Sequence, residues 1–383
     1  MNTSMADRDE ISGYVAIEGR AFLNEATYPG QEWGDASVAG KLEYYHEWDD
    51  ILSLTFTPFA RLDSTDPERT HFDIRELNYL YATDKCELRI GIAKVFWGVT
   101  ETQHLVDIIN QTDFVEAQDG EEKLGQPMVH FSVSRDWGVL DMFVLPYFRE
   151  RTFPGKKGRL RTSLVVDDEV DYESSLREYH PDLSIRYSRT IGNWDIGISH
   201  FWGTGREPTL IEGVNSGGVT VWIPHYEIIH QTGLDLQLVT DAWLWKLECI
   251  YRQDQDPENF FALTGGFEYT FTKQMITGNA DIGVLCEWLY DTRDKETTTG
   301  YDNDIMFGLR LGLNDAASTE ALIAVVQDLN SEDLFFSFES SRRIGERWKI
   351  SLEALVVFRS SAEDAIDPLR DDDYIQLELS YHF

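Results

Sequence analysis

The sequence has no apolar run approaching the roughly 18 residues that a membrane-crossing helix needs, so a transmembrane helix is excluded. Cysteine is scarce: Cys86, Cys249 and Cys286 are odd in number and fit no metal spacing. Cys249 and Cys286 fall on one face two strands apart, near 10 Å at about 4.8 Å per strand, too far to bridge. All three therefore read as small apolar residues. Basic residues are few, 33 Lys and Arg against 68 Asp and Glu for a formal charge of -35, which excludes nucleic-acid binding by phosphate neutralisation. The nine His lie outside any G-x-S-x-G or H-E-x-x-H context. Ser199 and His200 alternate to opposite faces and cannot pair locally, so no catalysis is expected. No regular calcium loop is present, and neither a metal site nor a cofactor is expected. The opening MNTSMADRDEISG lacks an apolar signal-peptide core. The expectation is a mature chain whose leader was removed and replaced by Met1.

Aromatics are plentiful, at 13% with 11 Trp and 17 Tyr, too many for disorder. They fall in segments of period two. Phe261, Leu263, Phe267, Tyr269 and Phe271 oppose Thr264, Glu268 and Thr270, and Ile350, Leu352, Ala354, Val356 and Phe358 oppose Ser351, Glu353 and Arg359. The pattern predicts strands at 11–24, 36–49, 51–63, 71–83, 86–97, 127–136, 139–151, 180–190, 193–203, 221–238, 242–253, 259–272, 279–291, 302–314, 319–329, 334–343, 347–360 and 373–383. Connections after even-numbered strands are short, such as Asp49-Asp50 and Gly345-Glu346. Those after odd-numbered strands are mostly long and polar, including 98–126, 152–179, 204–220, 292–301 and 361–372. That segregation is the layout of an all-β, antiparallel, up-and-down transmembrane β-barrel of about 18 strands. Residues 1–10 are expected to be a flexible periplasmic segment and 11–383 the barrel.

The polar face carries charge on strand after strand: Arg20, Arg61, Arg89, Arg310 and Arg359, with Glu248, Glu268, Glu287, Glu339, Glu353 and Glu378. In a sandwich core this would be ruinous, whereas a water-filled lumen accommodates it. Trp48, Trp137, Trp194, Trp243, Trp288 and Trp348 sit near strand ends on the apolar face, as in aromatic girdles.

The final segment YIQLELSYHF keeps its alternation to the last residue. It resembles the terminal strand of Gram-negative outer-membrane barrels. The resemblance implies that the barrel-assembly machinery reads it, with Tyr381 and Phe383 as the assembly signal. The segment 72–116, with Trp97-Gly98 and Asp107 to Asn110, and LPYFRERTFPG at 145–155 are similar to porin-like outer-membrane proteins of unknown function, loosely akin to alginate-export barrels. That likeness covers about a quarter of the chain and implies transport without naming a solute.

The 98–126 connection has internal order. Thr100 to Gln103 reads as a capping box before a short apolar-faced helix. In trimeric general porins the loop after the fifth strand folds inward, so this one is expected to narrow the pore, its acids Asp107, Asp113 and Glu116 lining the constriction. Arg149 and Arg151 are expected to supply basic charge facing it across the lumen, giving a transverse field. The alternatives are a lid on the rim and cations bound to lipopolysaccharide phosphates. The function expected is a bacterial outer-membrane porin-like channel for small polar or charged solutes; the second reading is a partner-gated exit conduit for a polymeric or hydrophobic substrate. Expected partners are outer-membrane lipid and lipopolysaccharide, the assembly machinery, a small-molecule solute and further copies of the chain.

Overall fold

The computed structural model describes residues 7–49, 51–117, 119–255, 258–272, 279–360 and 367–383. Its strands are β1 Arg8–Phe22, β2 Gly34–Glu47, β3 Leu52–Asp63, β4 His71–Ala82, β5 Cys86–Ala93, β6 Gln126–Arg135, β7 Gly138–Leu145, β8 Asp171–Tyr172, β9 Asp182–Ile191, β10 Trp194–Thr204, β11 Thr209–Val214, β12 Thr220–Tyr226, β13 Ile228–Thr240, β14 Trp243–Gln253, β15 Phe260–Phe271, β16 Asp281–Asp291, β17 Asn303–Gly312, β18 Glu320–Asp328, β19 Leu334–Ile344, β20 Trp348–Arg359 and β21 Tyr374–His382. Eighteen of them form one antiparallel sheet, and β8, β11 and β12 form a separate three-stranded sheet. The large sheet closes where β21 pairs with β1, Tyr381 opposite Val15 and Leu379 opposite Ile17. The alternation reaches the last residue because that strand completes the ladder and leaves no edge.

Burial is inverted relative to a soluble domain. Ile17, Phe307 and Leu377 on the outer face are 61%, 55% and 48% exposed, while Glu248 and Thr264 on the inner face have no exposed surface. An apolar exterior around a polar interior is a wall built to stand in lipid. The exposed rings cluster at its two ends. Trp48, Trp137, Trp194, Trp243 and Trp348 lie at the short-turn end, and Trp202, Tyr251, Trp288 and Tyr290 at the long-loop end.

Most strand bounds shift by one to three residues, and four differences change what a residue does. The first strand begins at Arg8, so residues 8–10, assigned to a flexible segment, are already paired with β2. β5 stops at Ala93 and β7 at Leu145, which places Trp97 and Arg149 in loops. The single strand expected over 221–238 is two. β12 pairs with β11 above the barrel, and only β13 belongs to the wall. Pro224, which cannot donate within a ladder, lies in the part that leaves the wall. Asp50 of the first turn and residues 361–366 of the last long connection lie outside the described residues.

The closing seam is tight. Gly13 exchanges backbone hydrogen bonds with Phe383 at 3.2 and 3.1 Å, and a Cβ on Gly13 would overlap the Lys41 carbonyl and press on the Phe383 ring at 3.0 Å. Gly13→Val is expected to cost about 1–3 kcal/mol through overpacking. Heat-dependent gel mobility of the folded barrel should then show a lower unfolding temperature; an unchanged one would mean the seam has slack.

A loop across the lumen

The connection between β5 and β6, residues 94–125, folds into the barrel and is held at two opposed walls. On one side Glu248 of β14 accepts from Val99 N at 2.6 Å, Thr100 N at 3.0 Å, Thr100 Oγ1 at 2.8 Å and Val106 N at 3.1 Å. Glu287 of β16 accepts from Glu101 N at 2.8 Å and from Thr102 N and Oγ1 at 2.9 Å. On the other side Arg61 of β3 pairs with Glu116 at 2.8 Å, Arg75 of β4 with Asp113 at 2.6 Å, and Arg69 Nε donates to Val115 O at 3.0 Å. Around the ring of 18, β4 is the fourth strand and β16 the thirteenth, nine places apart, so the loop crosses from wall to opposite wall.

Between those anchors the loop is glued to one side of the lumen by apolar packing. Val106, Ile108 and Ile109 are buried against Phe143, Phe201, Ile229, Ile250 and Phe260, inward-facing residues of β7 to β15. Trp97 is wedged between the Phe143 ring at 5.6 Å and the Arg186 guanidinium at 5.0 Å. Arg186 is itself held by both carboxylate oxygens of Asp235 at 2.6 and 2.8 Å. A facing stretch of six strands, β17 to β21 and β1, keeps a polar inner face that includes Arg310, Glu339, Glu353, Gln376 and Glu378.

The expected helix at 100–109 is not formed. Its would-be amide donors are taken by Glu248 and Glu287, and Thr100 Oγ1, instead of capping, donates to Gln103 O at 2.6 Å and to Glu248. A carboxylate that captures several backbone amides competes directly with the intrahelical ladder.

The expected constriction residues do lie in the inward loop, but their carboxylates face the wall. Asp113 and Asp107 have no exposed side-chain surface and that of Glu116 is 6% exposed. Asp107 pairs with Lys123 at 3.3 Å, and burial raises its carboxyl above the ordinary value despite that cation. Burial also disfavours the Glu116 carboxylate, yet His71 at 2.7 Å and Arg61 outweigh it and hold the group at about 2. These three residues anchor the loop. Among the acids turned to the lumen, Asp119, Glu121 and Glu122 on the loop and Glu339 on β19 are exposed. Asp119 is pushed up to about 6 by the protein enclosing it and by repulsion from Glu353, Glu121 and Glu122.

Arg149 and Arg151 do not face the acids across the lumen. Arg149 sits behind the loop, on Asp73 at 2.9 Å and Gly125 O at 2.9 Å, and Arg151 lies over the Phe114 ring at 5.1 Å and reaches Gln111 at 3.4 Å. The two arginines are expected to bring basic charge into the pore; β7 ends at Leu145, so both lie instead in the loop behind residues 94–125. Of the expected lumen arginines, Arg20 binds Gln376 at 2.6 Å, Arg310 pairs with Glu101 at 2.7 Å and Arg61 is buried with Glu18 and Glu116. Arg89 stands on the inner-face register between Leu80 and His130. Arg359 is displaced to the rim, 63% exposed on Glu332, past a bulge between Leu334 and Phe335. Sequence reading missed Arg69 and Arg75 as anchors. Pro58 in β3 was the available signal, since the register shifts beside it.

A second loop, 146–181, crosses above the first. Arg159 is buried in a nest of Asp372, Asp371 O at 2.7 Å and Asn24 O at 3.5 Å, with Phe22 under its guanidinium at 4.4 Å. Gly155 N donates to Asp66 at 3.0 Å, and Gln31 Nε2 to Gly158 O at 2.6 Å. At its base Phe148, Tyr172 and Tyr226 pack together, fixing the loop to the small sheet. Tyr381 packs on Trp348 at 5.0 Å and Phe383 is exposed at the opposite end. Among the described residues no group of His, Cys, Asp and Glu could hold a metal ion.

Glu248→Ala leaves buried donors of Val99, Thr100 and Val106 unpaired, at about 1–3 kcal/mol each before relaxation, so hydrogen exchange at 99–106 should accelerate by at least roughly tenfold; unchanged protection would mean that apolar packing alone holds the loop. His104 is the pH-sensitive member. Burial lowers its affinity for a proton, but Glu121 at 2.8 Å and Glu248 outweigh this and raise it to about 10. Its contribution is full below the unfolded value near 6.5 and is lost as pH rises through about 10, whereas that of Glu116 is full above about 4.5 and is lost as pH falls through about 2. His104→Asn should therefore flatten the alkaline loss of loop protection and leave the acid side unchanged.

No protein-family model matches the chain and no curated protein matches its sequence. Solved structures do. Pseudomonas aeruginosa OpdQ superposes with a TM-score of 0.56 at 12% identity, covering 98% of this chain and 98% of its own. Pseudomonas aeruginosa OccK3 gives 0.56 at 10% identity over 98% and 96%. Escherichia coli Wzi, an outer-membrane protein involved in group 1 capsule assembly and a carbohydrate-binding β-barrel, gives 0.54 at 9% over 96% and 84%. At these identities the likeness speaks to architecture alone, and what it establishes is that the chain has the fold of an outer-membrane porin: a closed, 18-strand transmembrane β-barrel.

Proposed function

We propose that the protein is a bacterial outer-membrane channel for small polar solutes, with a preference for cations at its narrowest point. The observation that carries this is the asymmetric crossing of the 94–125 loop. Its apolar face is spent on β7 to β15, and its exposed acids Asp119, Glu121 and Glu122 face the charged inner wall of β19 and β20. Asp119 interacts with Glu353, and Glu339 with Asp119, Glu101 and Glu121. Carboxylates concentrated around a low-dielectric constriction attract cations and repel anions. The barrel architecture and its porin neighbours support the outer membrane as its location. On this reading the chain acts without catalysis, Tyr381 and Phe383 serve as the assembly signal, and the apolar exterior contacts outer-membrane lipid, lipopolysaccharide or further copies of the chain.

The Arg159 nest favours a second reading. A loop latched over the mouth by a buried, multiply bonded cation suits a conduit opened by a partner. Spontaneous conductance separates the two.

In planar bilayers the wild-type protein should conduct KCl with a cation preference that rises as pH passes about 6, because Asp119 is neutral below that value and charged above it. Asp119→Asn should remove this step and lower the preference, while Arg359→Gln, at the rim, should alter neither. Absence of conductance until Arg159→Ala frees the mouth loop would support the conduit, and anion preference would overturn the acidic constriction.

A further inference from the structure

Below the loop, on the short-turn side, the inner wall of β1 to β4 opens into a cavity of about 370 Å³, within the range of small-ligand sites. Its lining is mixed in sign. Lys41 is neutralised by Glu43 at 2.8 Å, and Arg75 by Asp73 at 3.1 Å and Asp113 at 2.6 Å. Two charges in the same cavity make no direct ion pair. Lys94, an exposed residue at the root of the loop, has an ammonium with no ion-pair partner among the described residues and acts on Glu43, already held by Lys41, only at longer range. Glu76 on β4 has no cationic partner among them either; its carboxylate accepts only the Lys94 backbone N–H, at 3.4 Å. Although their backbones touch, the ammonium and the carboxylate do not pair with each other.

We infer that this cavity is a binding site for a small zwitterion, an amino acid or short peptide, whose carboxylate meets Lys94 and whose ammonium meets Glu76. The inference rests on the channel reading, since the site lies on the route through the lumen. A solute of one sign satisfies one of the two charges and leaves the other facing it unpaired or repelled. A zwitterion satisfies both at once, through two charge-assisted hydrogen bonds. Thr55 and Tyr45 on the adjoining strands add hydroxyls that can donate or accept as the solute requires. The arrangement accounts for why Lys41 and Arg75 are locked onto carboxylates while Lys94 and Glu76 are left open.

Calorimetry on the full chain in detergent tests the site directly, with three probes of similar size: glycylglycine, carrying both charges, N-acetylglycine, carrying the anion, and glycinamide, carrying the cation. Glycylglycine is expected to bind roughly tenfold or more tightly than either single-charge probe, and Lys94→Gln and Glu76→Gln should each weaken it by roughly tenfold or more. Lys156→Gln, exposed at the mouth, should leave binding unchanged. Neither target residue holds an ion pair, and heat-dependent gel mobility verifies that both variants are folded. Equal binding of the three probes, no binding, or binding that survives both substitutions would overturn the proposal. KCl conductance measured in parallel separates the two readings. Conductance without zwitterion preference sinks the site and keeps the channel; zwitterion binding without conductance keeps the site and sinks the channel.

Discussion

The internal organisation of the barrel depends on one carboxylate. Glu248 has no exposed surface, and its oxygens collect donors from Val99, Thr100 and Val106 on a loop that reaches β14 from β5 through the lumen. A buried charge of this kind is tolerated only when its lone pairs are satisfied, and the loop supplies that satisfaction. The dependence is mutual. Without the carboxylate the loop's amides would need a helix or water; without the loop the wall would hold a bare charge in the lumen.

Electrostatics and packing divide the work between the two ends of the loop. The arginines Arg61, Arg69 and Arg75 hold residues 113–116 against β3 and β4, and an apolar cluster from Trp97 to Ile109 seals the opposite side. Acids that look from sequence like a pore lining are thereby consumed as anchors. The lumen keeps a second set, on the face of the loop turned toward β19 and β20. The mouth loop repeats the same chemistry one layer up, with Arg159 as the buried cation.

Much of the barrel is legible in the sequence because a wall with lipid on one side and water on the other imposes period two on every strand. The closure of Val15 and Ile17 on the last strand, and the contrast of turns and loops, are direct consequences of that constraint. The inward direction of the 94–125 loop is partly legible, through its length and its buried apolar residues. The orientation of its acids is not. Asp113 and Glu116 find their partners on β4 and β3 and Thr100 finds its partner 148 residues away, and a loop has no periodicity to say which side a carboxylate takes. A capping-box pattern at Thr100 likewise promises a helix that a distant glutamate prevents. The split of 220–240 into two sheets shows the same limit: alternation continues across Glu227 while the chain changes partner.

The central claim is that the loop closes one half of the lumen and leaves the other open to water. Single cysteines at Glu121, Glu339 and Thr264, probed with a charged, membrane-impermeant methanethiosulfonate during current recording, test it most directly. The native Cys86, Cys249 and Cys286 lie in the outer-face register and serve as the unmodified background. The account predicts that reagent changes the current through the Glu121→Cys and Glu339→Cys proteins and leaves the Thr264→Cys protein, whose position has no exposed surface, unaffected. Modification at 264 with none at 121 and 339 would contradict it.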